Sequence, residues 1–266
     1  MKKLFFLGFV LAFNTIAFAI SSTANKTKIE IAVTTSNIAE IVLQIGATSV
    51  NVNVLTDPKI SQKENDSIER NAETIQKSNL ILRYGSETWV DKFKENSEYK
   101  NKIYKIIKTQ GNLMIPYLHI RASEEIKTIL SNIDPKNTAY YQDNAANYVY
   151  NIHFTAEKIK KDLSKAYGVK IIANQQIKDL LEDYGFDIIA IYGNELTGRK
   201  LAYLMNTAKR NGIKMIVGSL QETSPIGKII TEKTKIPYIA VSNITIENSY
   251  IDTLRNNADK LKKILD

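Results

Sequence analysis

Not one of the 266 residues is cysteine, and only 2 are histidine and 5 proline. The first absence excludes disulfides, so that in an oxidising compartment the fold rests on packing alone. It also excludes a lipid anchor carried on an N-terminal cysteine. Two histidines cannot supply a metal centre of three imidazoles from one chain. Charge of one sign is never gathered into a block: 36 Lys and Arg are interleaved with 28 Asp and Glu, for a formal net charge of +8. That is the pattern of a solvated surface, and no basic stripe with interleaved aromatics points to nucleic acid. Paired carboxylates, an activated serine, a phosphate-cradling glycine loop and His-Glu-x-x-His are missing as well, which sets enzymes aside.

Long apolar runs are confined to the start. Lys2 and Lys3 precede an apolar stretch from Leu4 to Ile16, followed by Ala17-Phe18-Ala19. A charged start, a short apolar run and a small-x-small triplet make a secretory signal peptide over residues 1–19, with cleavage expected after Ala19. The run is short for a bilayer span of about 20 residues, and no later stretch is long enough. The mature chain is therefore expected to be exported, periplasmic and free of a lipid anchor.

Beyond residue 27 the chain alternates between strand and helix signals. Lys28 to Val33 and Val50 to Leu55 have the two-residue period of strands. Between them, Thr34-Thr35-Ser36 caps a helix that carries Ile38, Ile41, Val42 and Ile45 on one face and stops at Gly46. Helices around 67–77 and 87–93 and strands at 80–82 and 103–107 complete a first unit. A second repeats the rhythm, with strands at 169–172, 187–191, 213–217 and 238–241. Its helices lie at 175–184, after Thr197 to Arg210, after Ser224-Pro225 and at 249–265. Such alternation implies parallel pairing with helical crossovers. From Pro135 to Tyr167 the spacing of Tyr141, Ala145, Tyr148, Ile152, Ala156, Ile159 and Leu163 predicts one helix. At about 28 residues it would run roughly 42 Å, enough to span both units. The expected division is 20–134 for the N-terminal lobe, 135–167 for the connecting helix and 168–266 for the C-terminal lobe.

Several fragments, in order, resemble the periplasmic metal-binding proteins of zinc and manganese ABC importers. They are Thr34-Thr35-Ser36 with Gly46, Asp57-Pro58, Gly85-Ser86-Glu87-Thr88-Trp89, Asp134 to Tyr141, Tyr184-Gly185, Glu195 to Thr197, Ser224-Pro225 and Ser249-Tyr250-Ile251. The resemblance implies two α/β lobes with mainly parallel sheets joined by a long backbone helix. It also implies a monomeric solute-binding component that captures Zn²⁺ or Mn²⁺ between its lobes and delivers it to an ABC permease of the inner membrane.

Such proteins hold the ion with three histidines and one carboxylate, and here that set is depleted. Lys59 follows Asp57-Pro58 where the first histidine is expected, His119 is retained as the second, and Asn174 replaces the third. Ser242 or Asn243 stands for the carboxylate, with Glu222 as an alternative acid in the neighbouring loop. A lysine opposes a dication, and Asn and Ser are poor donors to one. Each residue also has a plainer reading. His119 is either a surviving ligand or a hydrogen-bonded interface histidine; Lys59 binds an anion or is a loop lysine; Asn174 orients a ligand or caps the next helix. His153, inside the connecting helix, reads as a surface or packing histidine. Three functions are compatible with this pattern: a metal receptor with few protein ligands, the same fold taking an oxyanion or a chelated metal, and a non-transporting interaction or adhesion protein.

Overall fold

The computed structural model describes residues 28–57, 68–85, 87–99, 101–195, 197–246 and 249–265. The predicted signal peptide and Lys59 lie outside them.

Two four-stranded sheets, parallel throughout, are built to one plan. The first holds β1 (Ile29–Val33), β2 (Val50–Val54), β3 (Leu80–Tyr84) and β4 (Ile103–Ile107) in the order β2-β1-β3-β4. The second holds β5 (Lys170–Asn174), β6 (Asp187–Tyr192), β7 (Met215–Ser219) and β8 (Tyr238–Val241) in the order β6-β5-β7-β8. Register is set by apolar pairs such as Ile29 with Val50, Ile31 with Leu80, and Ile171 with Met215. In both sheets the strand order reverses beside the first strand, between β1 and β3 and between β5 and β7. In open parallel sheets ligands bind outside the carboxyl ends of the strands at such a reversal.

The helices are α1 (Ser36–Gly46), α2 (Ile68–Lys77), α3 (Asp91–Glu95), α4 (Pro116–Ile133), α5 (Thr138–Asp162), α6 (Lys178–Asp183), α7 (Gly198–Arg210), α8 (Ile226–Thr234) and α9 (Tyr250–Leu265). Two predicted caps are in place: Thr35 accepts from the Ile38 amide at 3.4 Å and Thr197 from the Lys200 amide at 3.2 Å. The helix after Ser224-Pro225 starts at Ile226, with Pro225 as its cap. The expected 87–93 helix is instead a short 3₁₀ turn leading into α3, because the Glu87 carboxylate reaches back to the Tyr84 amide at 2.9 Å. The expected 175–184 helix starts late, since Asn174 Oδ1 accepts from the Gln176 amide at 2.8 Å and closes a turn there first. The pattern gave no helix at 116–133, where α4 runs.

α5 is the predicted connector, 25 residues and therefore about 37 Å long. It buries Tyr141, Ala145, Tyr148, Ile152, Thr155 and Ile159, one face at alternating spacings of four and three. Asn144 Nδ2 ties it to the α1 carbonyl of Ile45 at 2.9 Å, and Asp162 meets Lys262 of α9 at 3.3 Å. One continuous apolar core runs from Ile31 and Ile41 through Tyr148 and Ile152 to Ile171 and Leu254. The two sheets are thus joined by shared packing as well as by chain.

Candidate functional site

The segments that leave the carboxyl ends of the two sheets meet each other. Asn112, after β4, donates to the Gln176 carbonyl, after β5, at 3.4 Å. Thr245, after β8, gives both its amide (2.6 Å) and its hydroxyl (3.0 Å) to Asn37 Oδ1, after β1. Of the predicted cleft residues, those within the described chain, His119, Asn174 and Ser242, fall in two separate groups.

The first group surrounds His119. Its ring is 0% exposed on α4, stacked on Tyr250 with centroids 3.6 Å apart and planes at 18°. Nδ1 lies 2.9 Å from the Leu113 carbonyl, which can only accept, so Nδ1 carries the proton. Nε2 is then the lone-pair nitrogen, and it accepts from the Tyr148 hydroxyl at 2.9 Å. Both nitrogens are spent within the protein, and burial pushes the imidazole pKa down to about 3. The expected metal donor has no lone pair facing solvent or a cleft. Tyr250 extends the group: its hydroxyl donates to the Met114 carbonyl at 3.0 Å and its amide to Glu40 Oε1 at 3.2 Å. Burial raises the pKa of the Glu40 carboxyl, with hydrogen bonds from the Tyr250 backbone and Gln44 working the other way.

The second group sits at the carboxyl edge of the second sheet. Asn174, at the end of β5, is 1% exposed, and its Nδ2 donates to Glu222 Oε2. The Ser219 amide donates to the same oxygen at 3.3 Å. Glu222 Oε1 accepts from the Tyr238 hydroxyl at 2.7 Å and from Tyr192 at 3.2 Å. Burial, then the nearby carboxylate, raises the pKa of both phenols, which keeps them protonated as donors. Ser242 is 0% exposed and turned inward: its hydroxyl donates to the Ile244 carbonyl at 2.7 Å. Its backbone makes a two-point pair with Asn257 of α9, each bond 2.8 Å. Gln221 links it to the rest, with Nε2 3.1 Å from Ser242 Oγ and Oε1 accepting from the Asn243 amide.

Asn174, Glu222 and Ser242 are therefore neighbours in one polar cluster, and His119 is not part of it. Among the described residues, no three His, Asp or Glu side chains converge as a metal-binding group. His153 is exposed on α5, consistent with a surface residue.

Sequence reasoning named Glu222 only as a substitute acid and missed its tyrosine partners. The available signal was glycine. A Cβ on Gly218 would strike the Tyr238 hydroxyl and lie 2.8 Å from Glu222 Oε1, and one on Gly227 would lie 2.5 Å from the Tyr192 hydroxyl. A glycine inside a strand or helix marks such a close approach. Gly218→Ala is expected to lose about 1–3 kcal/mol by displacing Tyr238. Urea denaturation checks this, and a change below about 0.5 kcal/mol would count against the crowding.

A family model described as zinc-uptake complex component A, periplasmic, matches residues 31–264. A crystal structure of ZnuA superposes with a TM-score of 0.78 at 18% identity, covering 90% of this chain and 100% of that one. The laminin-binding protein Lbp of Streptococcus pyogenes gives 0.75 at 16%, with 90% and 100% covered. A mutant, manganese-bound periplasmic metal binding protein from candidatus liberibacter asiaticus gives 0.72 at 20%, again with 90% and 100% covered. At these identities the structures establish the shared two-lobed fold. No curated protein matches the chain. No helix among the described residues is long and apolar enough to cross a membrane.

Proposed function

This chain belongs to the periplasmic zinc-uptake component A family, and from that premise we propose that it is the solute-binding component of a zinc/manganese-type ABC importer. In this reading it works in the periplasm after removal of residues 1–19, as a monomer without a lipid anchor. It hands a divalent ion to an inner-membrane permease. The observation that carries the proposal is the family match over residues 31–264, together with a polar cluster at the strand-order reversal of the second sheet.

The cargo is held by few protein donors. His119 acts as a packing and hydrogen-bonding residue between the lobes, since neither ring nitrogen is open. Glu222 has all four acceptor positions engaged by Asn174, Ser219, Tyr192 and Tyr238. Among the described residues at the predicted site, neutral oxygen donors and water are left to bind the ion, and these suit borderline transition metals poorly. Isothermal titration of metal-stripped mature protein is expected to give far weaker binding of Zn²⁺ and Mn²⁺ than three imidazoles provide. Submicromolar one-to-one binding of either metal would overturn this account of the cleft.

A second reading keeps the fold and drops the transport. The absence of converging metal donors among the described residues favours it, and a structural relative is described as laminin-binding. The same titration separates the two, because a non-transporting scaffold shows no saturable metal binding at all.

A further inference from the structure

We propose that the carboxyl edge of the second sheet is a carboxylate-recognition site, occupied by the chain's own Glu222. Each of the four strands of that sheet contributes one donor to this single side chain. β5 gives Asn174 Nδ2, β6 the Tyr192 hydroxyl, β7 the Ser219 amide and β8 the Tyr238 hydroxyl. A carboxylate has about four lone-pair positions, two on each oxygen, and two donors approach each oxygen here. Three of the donor residues, Asn174, Tyr192 and Ser219, are buried to 1% exposure or less, so their polar groups have little water to fall back on.

The space for this arrangement depends on two glycines. Gly218 in β7 and Gly227 in α8 stand where any Cβ would displace the hydroxyls of Tyr238 and Tyr192. Beside the cradle is an open recess of about 270 Å³ walled by Glu222, Ser224, Tyr238, Ala240 and Lys228. Four donors and a nearby lysine suit an anion, and two donors to each oxygen suit a carboxylate in particular.

Because Glu222 is tethered three residues beyond Ser219, its effective concentration at the donors far exceeds that of a free acid at millimolar levels. The wild-type chain therefore keeps the site filled, and the C-terminal lobe carries its own internal anion in place of an external ligand. An anionic cargo would find these donors already taken. This inference concerns the chain's own side chains and stands apart from the importer reading.

The test is chemical rescue. Glu222→Ala is expected to lower Tm by roughly 5–10 °C, since four donors lose their acceptor at once. Sodium acetate should restore about half of that loss saturably, while sodium chloride at equal ionic strength should not. Wild type should show no difference between the salts. Adding Tyr238→Phe to Glu222→Ala should remove most of the acetate response. An equal response to acetate and chloride, or an acetate response undiminished in the double variant, would overturn the proposal. Should Glu222→Ala not accumulate as folded protein, refolding yield in acetate against chloride is the readout. A higher yield in acetate supports the site, and equal yields refute it.

Discussion

Replacing His119 with alanine is expected to cost about 3–5 kcal/mol and to leave the response to Zn²⁺ and Mn²⁺ unchanged. The cost has three sources. A fully buried ring leaves a cavity, the Leu113 carbonyl and the Tyr148 hydroxyl lose their partners, and Tyr250 loses the face it stacks on. A ligand role predicts the reverse, with modest destabilisation and loss of metal binding. Urea denaturation and metal titration on the same two proteins distinguish them.

The same residue sets a pH dependence of known sign. Its folded pKa, about 3, lies below the ordinary value of 6.5. Between those values the unfolded chain binds a proton that the folded chain does not. Stability therefore falls as pH drops through that window, by at most about 1.4 kcal/mol per unit. Glu40 works oppositely. Burial raises its folded pKa above 4.5, so its neutral form favours the fold and its contribution is lost as pH rises through that raised value. Comparing His119→Ala with its parent in a Glu40→Gln background isolates the histidine. The slope between about pH 6.5 and 3 should flatten in the alanine variant, and parallel curves would show that His119 is not buried neutral.

Much of the fold was legible because its signals are local. Period-two strands, the caps at Thr35 and Thr197, and the spaced apolar residues of α5 each lie within one stretch of chain. α4 escaped although Pro116 stands at its first position: Ile115 offers no side-chain cap, and its buried apolar residues Leu118, Ala122, Ile126 and Leu130 come at steps of four. The site was far less legible. The donors to Glu222 come from positions 174, 192, 219 and 238, which adjoin only after the order β6-β5-β7-β8 is set. His119 shows the opposite difficulty. Sequence gives its identity, but Leu113 and Tyr148 decide whether its nitrogens are free, and Tyr148 lies on another helix.

Tyr250→Ala is expected to be among the most damaging single changes, at about 3–5 kcal/mol, and Tyr250→Phe to cost only about 1 kcal/mol. The alanine variant loses a fully buried ring and its stack on His119. Phenylalanine retains both and gives up only the bond to the Met114 carbonyl. The reason the position matters is topological. Tyr250 begins α9, the last element of the second half of the chain, yet its hydrogen-bond and stacking partners are Glu40 on α1, Met114 before α4 and His119 on α4. With Thr245 on Asn37, it pins the end of the chain onto the first sheet's helices. Losing the ring should therefore raise amide exchange in α1 and in residues 249–265 together, ahead of β5 and β7. Exchange that rises only in α9 would show that the pin holds one helix and does not couple the lobes. If coupling is found, the angle between the two sheets is fixed by buried, uncharged contacts with little freedom to hinge. On the importer reading proposed above, a cargo would then meet lobes already held in place rather than lobes that open widely on their own.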